Sequence, residues 1–149
     1  MQAESHKNKA LLFSLGESLC AVPLKYIIET AKIMPIIKIP RVPNCISGIS
    51  SLRGEIIPIV DIMELFTGQK SSIEYKCLAV MKISGCVIGV PVNDVIKVIS
   101  ISENVIKRGE EAETGSFDKY VDAVIKEEEG IISLLDIEHI LKDITEKEI

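Results

Sequence analysis

The chain shows its architecture most clearly in residues 43–62, PNCISGISSLRGEIIPIVDI. Two segments rich in β-branched residues, 46–52 and 55–60, flank Arg53 and a glycine. Glycine adopts the backbone conformations that tight turns need, and two apolar segments around such a turn are typical of a β-hairpin. We therefore predict a hairpin here, followed by a short helix for which Asp61 is a candidate N-cap.

The same pattern occurs twice along the chain. Residues 56–62, IIPIVDI, resemble residues 131–137, IISLLDI, and residues 19–24, LCAVPL, resemble residues 87–92, VIGVPV. Two blocks that recur in the same order indicate an internal repeat. The repeat predicts two halves that share one architecture.

Isoleucine and valine dominate the apolar composition, with 26 and 12 copies against 11 leucines and 7 alanines. These β-branched side chains pack well in strands. Short strands with tight turns predict an all-β fold of two small antiparallel barrels, related by internal pseudo-symmetry and accompanied by short helices. A half of about 60 residues buries only about 60% of its chain surface, so we expect the barrels to share an apolar seam.

The repeat also sets the expected domain boundaries. We predict a single domain over residues 11–142, with halves at about 11–66 and 78–141. The first ten residues, MQAESHKNKA, are mostly polar. We therefore expect a flexible tail at residues 1–10, and a second tail at residues 143–149.

In the first half, alternating apolar residues predict a hairpin of strands 11–15 and 19–22. Pro23 suits the first position of a short helix, which would place Ile27 and Ile28 on one face. The hairpin and the helix would then precede the second hairpin of this half.

The second half is expected to repeat the scheme. We predict strands at 78–83, 86–92, 120–126 and 130–135, a short turn of helix that ends at Val98, and a helix over 136–141. Charged residues without periodicity predict an exposed, mobile loop over residues 102–117.

Charge and hydropathy exclude several classes of partner. The net charge is −5, so the chain offers no basic field for nucleic acid or anionic lipid. Acidic runs at residues 110–111 and 127–129 fall in expected loops and are interpreted as solvated. No apolar run approaches the length that spans a bilayer, and the first residues contain no signal-peptide core. We expect a cytoplasmic protein without direct membrane insertion.

The four cysteines, Cys20, Cys45, Cys77 and Cys86, form no CxxC pair and have apolar neighbours. This spacing argues against a zinc site and against a disulfide framework. We expect reduced thiols within the core.

Catalytic sequence motifs are missing from the chain. The best constellation is Ser133, Asp136 and His139, which could in principle support acyl transfer. Ser133 is expected in a strand, however, whereas Asp136 is better explained as an N-cap and His139 as a solvated helix residue. His6 lies in a polar segment without a second histidine nearby. We therefore expect no enzyme, no cofactor and no metal site.

Arg53 stands out because it lies at the exposed turn between two strongly apolar strands. A guanidinium held there would present a fixed fork to carboxylates or carbonyls of a partner. A second interpretation is a plain turn residue paired with Glu55, which would contribute little. The residues alone leave both interpretations open.

Residues 43–62 closely resemble the signature motif of CheW, the chemotaxis coupling protein family. Residues 13–16, FSLG, and 21–24, AVPL, are similar to the opening hairpin and short helix of that family, and residues 88–95, IGVPVNDV, to its middle strand. The resemblance covers residues 11–142, almost the whole chain.

The resemblance implies two five-stranded, SH3-like barrels that act as a non-enzymatic adaptor. Such an adaptor couples chemoreceptors, the methyl-accepting chemotaxis proteins, to the histidine kinase CheA in bacterial chemotaxis. It would bind the CheW-like regulatory domain of the kinase and the helical tip of the receptor, and it would be recruited to membrane-associated receptor arrays. Carried over by position, Arg53, Gly48, Ile27 and Glu29 are the expected partner-binding residues.

The chain departs from the family pattern at three places. Ser51 replaces an asparagine, Asn93 replaces an aspartate, and residues 107–109 replace a proline region. These departures leave room for a divergent CheW-like paralogue that scaffolds a non-chemotactic kinase. A small-barrel module that binds peptide or oligonucleotide is the other alternative; it would need a basic, aromatic face, and the chain has only three Phe, three Tyr and no Trp.

Overall fold

A computed structural model describes residues 8–68, 74–101, 105–108 and 119–146. These residues form eleven strands in two sheets and two short α-helices. The elements in chain order are β1 (Lys9–Leu15), β2 (Ser18–Pro23), β3 (Ile27–Lys32), β4 (Ile46–Leu52), β5 (Glu55–Val60), α1 (Ile62–Thr67), β6 (Cys77–Ile83), β7 (Cys86–Val92), β8 (Asp94–Ser100), β9 (Val105–Arg108), β10 (Val121–Glu127), β11 (Gly130–Leu135) and α2 (Ile137–Glu146).

The strand order divides the molecule into two subdomains. One sheet has six strands in the order β8-β1-β2-β11-β10-β9, and the other has five in the order β3-β6-β7-β5-β4. The expected all-β fold with two subdomains and short helices is confirmed. In detail, the first sheet has one strand more than expected, and each strand order is open at both ends.

The two sheets correspond strand for strand. The run β8-β1-β2-β11-β10 matches the run β3-β6-β7-β5-β4. In both runs the third and fourth strands are parallel. In the first run Ser133 of β11 lies opposite Cys20 of β2, and in the second run Ile59 of β5 lies opposite Gly89 of β7. Each sheet combines strands from both halves of the sequence. The β1–β2 hairpin lies beside β8 and β11, whereas the β6–β7 hairpin lies beside β3 and β5.

The main core lies between the exchanged hairpins. Phe13 and Val22 of the first hairpin belong to the same buried cluster as Met81 and Val90 of the second, and α1 and α2 add further apolar side chains. Smaller clusters cover the opposite faces of the sheets. This shared core confirms the apolar seam that we expected because each half is too small to bury enough surface alone.

Most turns lie where glycine and the period-2 pattern predict them. The hairpins β1–β2, β4–β5, β6–β7 and β10–β11 agree with the predicted strand pairs to within two residues at each end. Asp61 caps α1 as expected, because its Oδ1 accepts a hydrogen bond from the backbone N–H of Glu64 at 3.2 Å.

The two predicted helical turns after the opening hairpins are wrong. Only Leu24–Tyr26 forms a short 3-10 turn, and Ile27 already begins β3. The corresponding residues up to Val98 form the strand β8. In both places β-branched residues pair with a strand of the hairpin from the other half, which overrides the helical spacing.

The C-terminal helix is longer than predicted, since α2 continues past Leu141 to Glu146. Residues 102–117 were expected to form an exposed loop, but β9 lies within this segment and pairs with β10. The rest of the predicted loop lies outside the described residues. The predicted tails are too long, because residues 9–10 belong to β1 and residues 143–146 to α2; residues 1–7 and 147–149 lie outside the described residues.

The cysteine prediction is correct in part. Cys20 and Cys45 are buried, and burial raises the pKa of the Cys20 thiol to about 12. Cys77 is half-buried and Cys86 is exposed at the start of β7. The expectation of a core position is therefore wrong for Cys86, because it adjoins the exposed turn between β6 and β7.

Asn93 joins two parts of the fold through its amide. Its Oδ1 accepts from the Gly16 N–H at 2.6 Å, and its Nδ2 donates to the Glu74 carbonyl at 3.2 Å. Asn93→Ala loses both bonds and is expected to lower the free energy of unfolding by about 2 kcal/mol. Asn93→Asp keeps the acceptor alone, so we expect about half of that loss. Urea unfolding checks both values, and an unchanged Asn93→Ala variant would contradict them.

Asp143 of α2 binds the two residues that precede β10, Lys119 and Tyr120. Its carboxylate accepts from Lys119 Nζ at 2.9 Å and from Tyr120 Oη at 2.7 Å, which lowers the pKa of Asp143. A carboxyl with a lowered pKa stabilises the fold above its ordinary pKa, and this contribution is lost as the pH falls through the lowered value.

The Asp143→Asn variant is therefore expected to melt below the wild type at neutral pH and to approach it in acid. Thermal melts at about pH 7 and about pH 3 measure the difference, because the ordinary carboxyl pKa lies between these values. A gap between the two proteins that stays constant with pH would contradict this assignment.

Candidate functional site

Arg53 lies at the tip of the β4–β5 hairpin in a left-handed backbone conformation. Its φ is +51°, the φ of Gly54 is +83°, and the arginine side chain is 75% exposed. A non-glycine residue in this region costs about 1–2 kcal/mol, so an arginine at this position is not the best choice for the turn alone. Strained residues at exposed tips are candidates for function.

A single ion pair orients the guanidinium. Nη1 of Arg53 lies 2.8 Å from Oε2 of Glu29, which is on β3 and 21% exposed. The pairing with Glu55 considered from the sequence is not the one observed. Within the described part of the chain, the other terminal nitrogen of Arg53 has no hydrogen-bond partner, so it remains available to an approaching group.

The ion pair stands at the edge of a shallow depression of about 220 Å³. Its lining residues come from β3, β4, β5, β6 and β7 and are Ile28, Glu29, Leu52, Arg53, Glu55, Ile57, Val80 and Val87. Ile57 and Val80 belong to a buried apolar cluster, whereas Ile28 is 50% exposed. The arrangement places an apolar floor beside a charged rim, which suits an amphipathic partner.

The four expected site residues fall into two groups. Arg53 and Glu29 are in direct contact, and Ile27 lies two residues before Glu29, half-buried against the main core. The register shifts between Ile27 and Glu29, and Ile28 between them is exposed and lines the depression. Ile28 was not predicted as a site residue, because the helical spacing places it on the same face as Ile27, whereas in the strand β3 the two side chains alternate between less and more exposed positions.

Gly48 lies apart from the ion pair and serves the packing of the chain. Its φ is +152°, and a Cβ atom there would lie 2.3 Å from the carbonyl oxygen of Ile37. Ile37 exchanges two backbone hydrogen bonds of 2.8 Å with Ile49, directly beside Gly48. The absence of a side chain at Gly48 therefore allows this segment to pair with β4, and a role in partner binding stays a prediction.

The second subdomain has a corresponding ion pair with the charges reversed. Lys97 on β8, the equivalent of β3, lies 3.0 Å from Glu129 and 3.8 Å from Glu127 at the β10–β11 turn. This contact raises the pKa of Lys97 and lowers that of Glu129. The acidic run at 127–129 is therefore partly paired rather than simply solvated. The two ends of the pseudo-symmetric molecule carry opposite charges at their tips.

The catalytic constellation weighed in the sequence is not assembled. Ser133 is buried in β11, Asp136 caps α2 by accepting from the His139 N–H at 3.1 Å, and His139 Nε2 lies 3.6 Å from Asp143. The expectation that Asp136 is an N-cap is confirmed. His6 and residues 110–111 lie outside the described residues.

The residues that the structure describes include neither a candidate metal site nor a candidate membrane-spanning helix. They contain no group of three or more His, Cys, Asp or Glu side chains that could hold a metal ion. None of the helices among them is long and apolar enough to cross a membrane.

Comparisons with known proteins agree on one family. The family model for the CheW-like domain matches residues 9–145. The chemotaxis protein CheW of Treponema pallidum is 23% identical over 142 residues, which is 92% of this chain and 84% of the relative. The CheW of Thermotoga maritima is 27% identical over 143 residues, 94% and 91% of the two chains. The CheW of Klebsiella aerogenes is 26% identical over 142 residues, 95% and 86%.

A solved structure has the same fold. The crystal structure of the scaffolding protein TtCheW from Thermoanaerobacter tengcongensis superposes with a TM-score of 0.72 at 28% sequence identity. The match covers 86% of this chain and 88% of that one. The similarity therefore extends over both subdomains.

Proposed function

Because the chain belongs to the CheW-like domain family, we propose that it is a non-enzymatic adaptor that couples chemoreceptors to the histidine kinase CheA in bacterial chemotaxis. Members of this family are scaffold proteins of chemotaxis. The proposed partners are the regulatory domain of a CheA-like kinase and the cytoplasmic helical tip of a methyl-accepting chemotaxis protein. The proposed location is the cytoplasm, at receptor arrays on the membrane.

The observation that carries this proposal is the arginine at the β4–β5 tip. Arg53 adopts an unfavourable backbone conformation, is 75% exposed, and is oriented by Glu29 beside an apolar depression. If this position served only to form the turn, glycine or asparagine would adopt its backbone conformation at lower cost than arginine. A fixed guanidinium beside apolar side chains suits recognition of a carboxylate on a protein surface.

A helical receptor tip would fit the depression through its amphipathic character. Apolar side chains of the helix would contact Ile28, Leu52 and Val87, which line the depression and are exposed or half-buried, and an acidic side chain would reach Arg53. The kinase domain would then bind at another face of the barrels. An adaptor that binds both partners links their conformational states, because each partner favours the state to which the adaptor binds more tightly.

Calorimetric titration tests the proposal. The protein is titrated with the regulatory domain of the CheA-like kinase from the same source, and separately with a fragment of a receptor tip. Saturable binding to both partners would support the coupling role. A well-folded sample that binds neither partner would overturn it and favour a paralogue that serves a different kinase.

A further inference from the structure

The β1–β2 hairpin belongs to a sheet whose other strands lie far away in the sequence. The five strands β3 to β7 form one sheet and follow one another along the chain, from Ile27 to Val92. The other sheet combines the hairpin, which ends at Pro23, with β8 to β11, which begin at Asp94. The hairpin is therefore separated from its strand partners by the entire sequence of the five-stranded sheet.

The contacts of the hairpin require it to be packed. β1 pairs with β8 over six residue pairs along residues 9–14, and β2 pairs with β11, where Cys20 lies opposite Ser133. Seven side chains of the hairpin are fully buried, namely Ala10, Leu12, Phe13, Leu15, Cys20, Ala21 and Val22. Exposing this apolar surface to water is unfavourable. The hairpin must therefore lie between β8 and β11, either of its own chain or of another copy.

A short hinge links the hairpin to the five-stranded sheet. Leu24–Tyr26 form a 3-10 turn, and each of its three residues is exposed or half-buried. Pro23 before the turn has φ −52° and ψ 135°, an extended conformation whose φ is fixed by the proline ring. Short hinges favour domain swapping, because the hinge can extend while the packed element makes the same contacts in a second copy.

We propose that two copies of this chain form a domain-swapped dimer, in which the β1–β2 hairpin of each copy packs between β8 and β11 of the other. Each hairpin then makes the strand pairs and apolar contacts that it makes in the monomer. Extension of the hinge gives up the hydrogen bond from the Ile27 N–H to the Leu24 carbonyl and the exposed bond of 2.7 Å from Tyr26 to Glu138.

The hinge also defines the form of the dimer. Three extended residues span only about 10 Å, so the two copies lie side by side around a twofold axis. The segment from Ile27 to Val92, which carries the Arg53 tip, is not exchanged between copies. The dimer therefore presents two Arg53 tips on one particle. The inference goes beyond the adaptor role and does not depend on it.

Disulfide trapping in full-length chains tests the swap. Lys9 of β1 lies opposite Ser100 of β8. Opposed residues of antiparallel strands have Cα atoms about 4.5–5.5 Å apart, which suits a disulfide. One chain carries Lys9→Cys and a tag, the other carries Ser100→Cys, and both carry Cys86→Ser to remove the exposed native thiol. The two chains are unfolded together in urea, refolded at several protein concentrations and oxidised.

We expect a disulfide-linked pair of the two different chains, which elutes as a dimer in size-exclusion chromatography and increases with protein concentration. One chain that carries both Lys9→Cys and Ser100→Cys should form the disulfide within its monomer, which shows that this residue pair can close. Lys9→Cys mixed with Lys82→Cys measures random collision, because Lys82 is exposed on the other sheet, and this mixture should not link.

A change in hinge length gives a second, independent readout. Two glycines inserted after Lys25 allow the hairpin to fold back onto its own chain more easily, so most of the linked dimer should be lost. The same insertion after Gly85, in the β6–β7 turn, is the matched control and should leave the linked fraction unchanged.

Three results would overturn the proposal. They are a linked fraction no greater than that of the Lys82→Cys mixture, a linked fraction that the hinge insertion does not lower, and a dimer that elutes without the disulfide and so associates through another surface. Because neither kinase nor receptor is used, this result is independent of the test of the adaptor role.

Discussion

Replacement of Arg53 by glycine is expected to weaken binding of the proposed kinase or receptor partner by about tenfold to a hundredfold, the range of an interface hot spot. The exposed ion pair with Glu29 contributes at most about 1 kcal/mol to folding. Glycine also relieves the left-handed conformation at φ +51°. The free energy of unfolding should therefore stay constant or rise slightly while binding is lost. Calorimetric titration and urea unfolding of the same variant measure the two effects.

The chain offers a closely matched control for this variant. Arg41 is also an exposed arginine with positive φ, +62°, but it lies outside the depression. Arg41→Gly should bind the partners as the wild type does. Glu29→Gln removes the orienting carboxylate and keeps the guanidinium, so we expect a smaller loss of affinity than in Arg53→Gly. A marked fall in the melting temperature of Arg53→Gly, or equal loss of binding in both arginine variants, would contradict the role of Arg53.

Replacement of Gly48 by alanine is expected to have the largest effect on stability. The new methyl group would lie 2.3 Å from the Ile37 carbonyl oxygen and 2.8 Å from Cγ2 of Ile36, so backbone must move. The φ of +152° is also unfavourable for any residue with a Cβ atom. Together these costs are expected to reach about 3 kcal/mol or more, and to lower the melting temperature by about 10 °C.

Gly54 supplies the control for the backbone part of this cost. Its φ is +83°, but no heavy atom lies within 4 Å of an added Cβ. Gly54→Ala should therefore cost only about 1–2 kcal/mol, which is the penalty of the left-handed conformation. If Gly48→Ala is no less stable than Gly54→Ala, the packing role of Gly48 is wrong. Binding by any Gly48→Ala protein that remains folded then measures whether this position contacts a partner.

Local sequence signals predicted the hairpins and the helix caps well. The turns at Arg53 and Gly85, and the caps at Asp61 and Asp136, each depend on residues within a few positions of one another. Glycine conformation and side-chain capping act over this short range, so they can be read directly from neighbouring residues.

Long-range pairing could not be predicted in the same way. Ile27 and Ile28 have helical spacing relative to Leu24, yet they lie in β3, because β6 of the other half provides a strand to pair with. Glu29 and Arg53 are 24 residues apart, and only the folded chain brings their charged groups together. The repeat in the sequence shows that two similar units exist, but it does not show which hairpin joins which sheet.

The exchange of hairpins has a consequence for how the chain folds during synthesis. β2 pairs with β11, so the six-stranded sheet is completed only after Leu135 has left the ribosome. The first half contains no neighbouring strand for the β1–β2 hairpin, and even after β8 has been synthesised the edge of β2 stays unpaired until β11 follows. Contacts of such high sequence separation form slowly, and exposed edges promote association between nascent chains. The two halves therefore become stable together, once both have been synthesised.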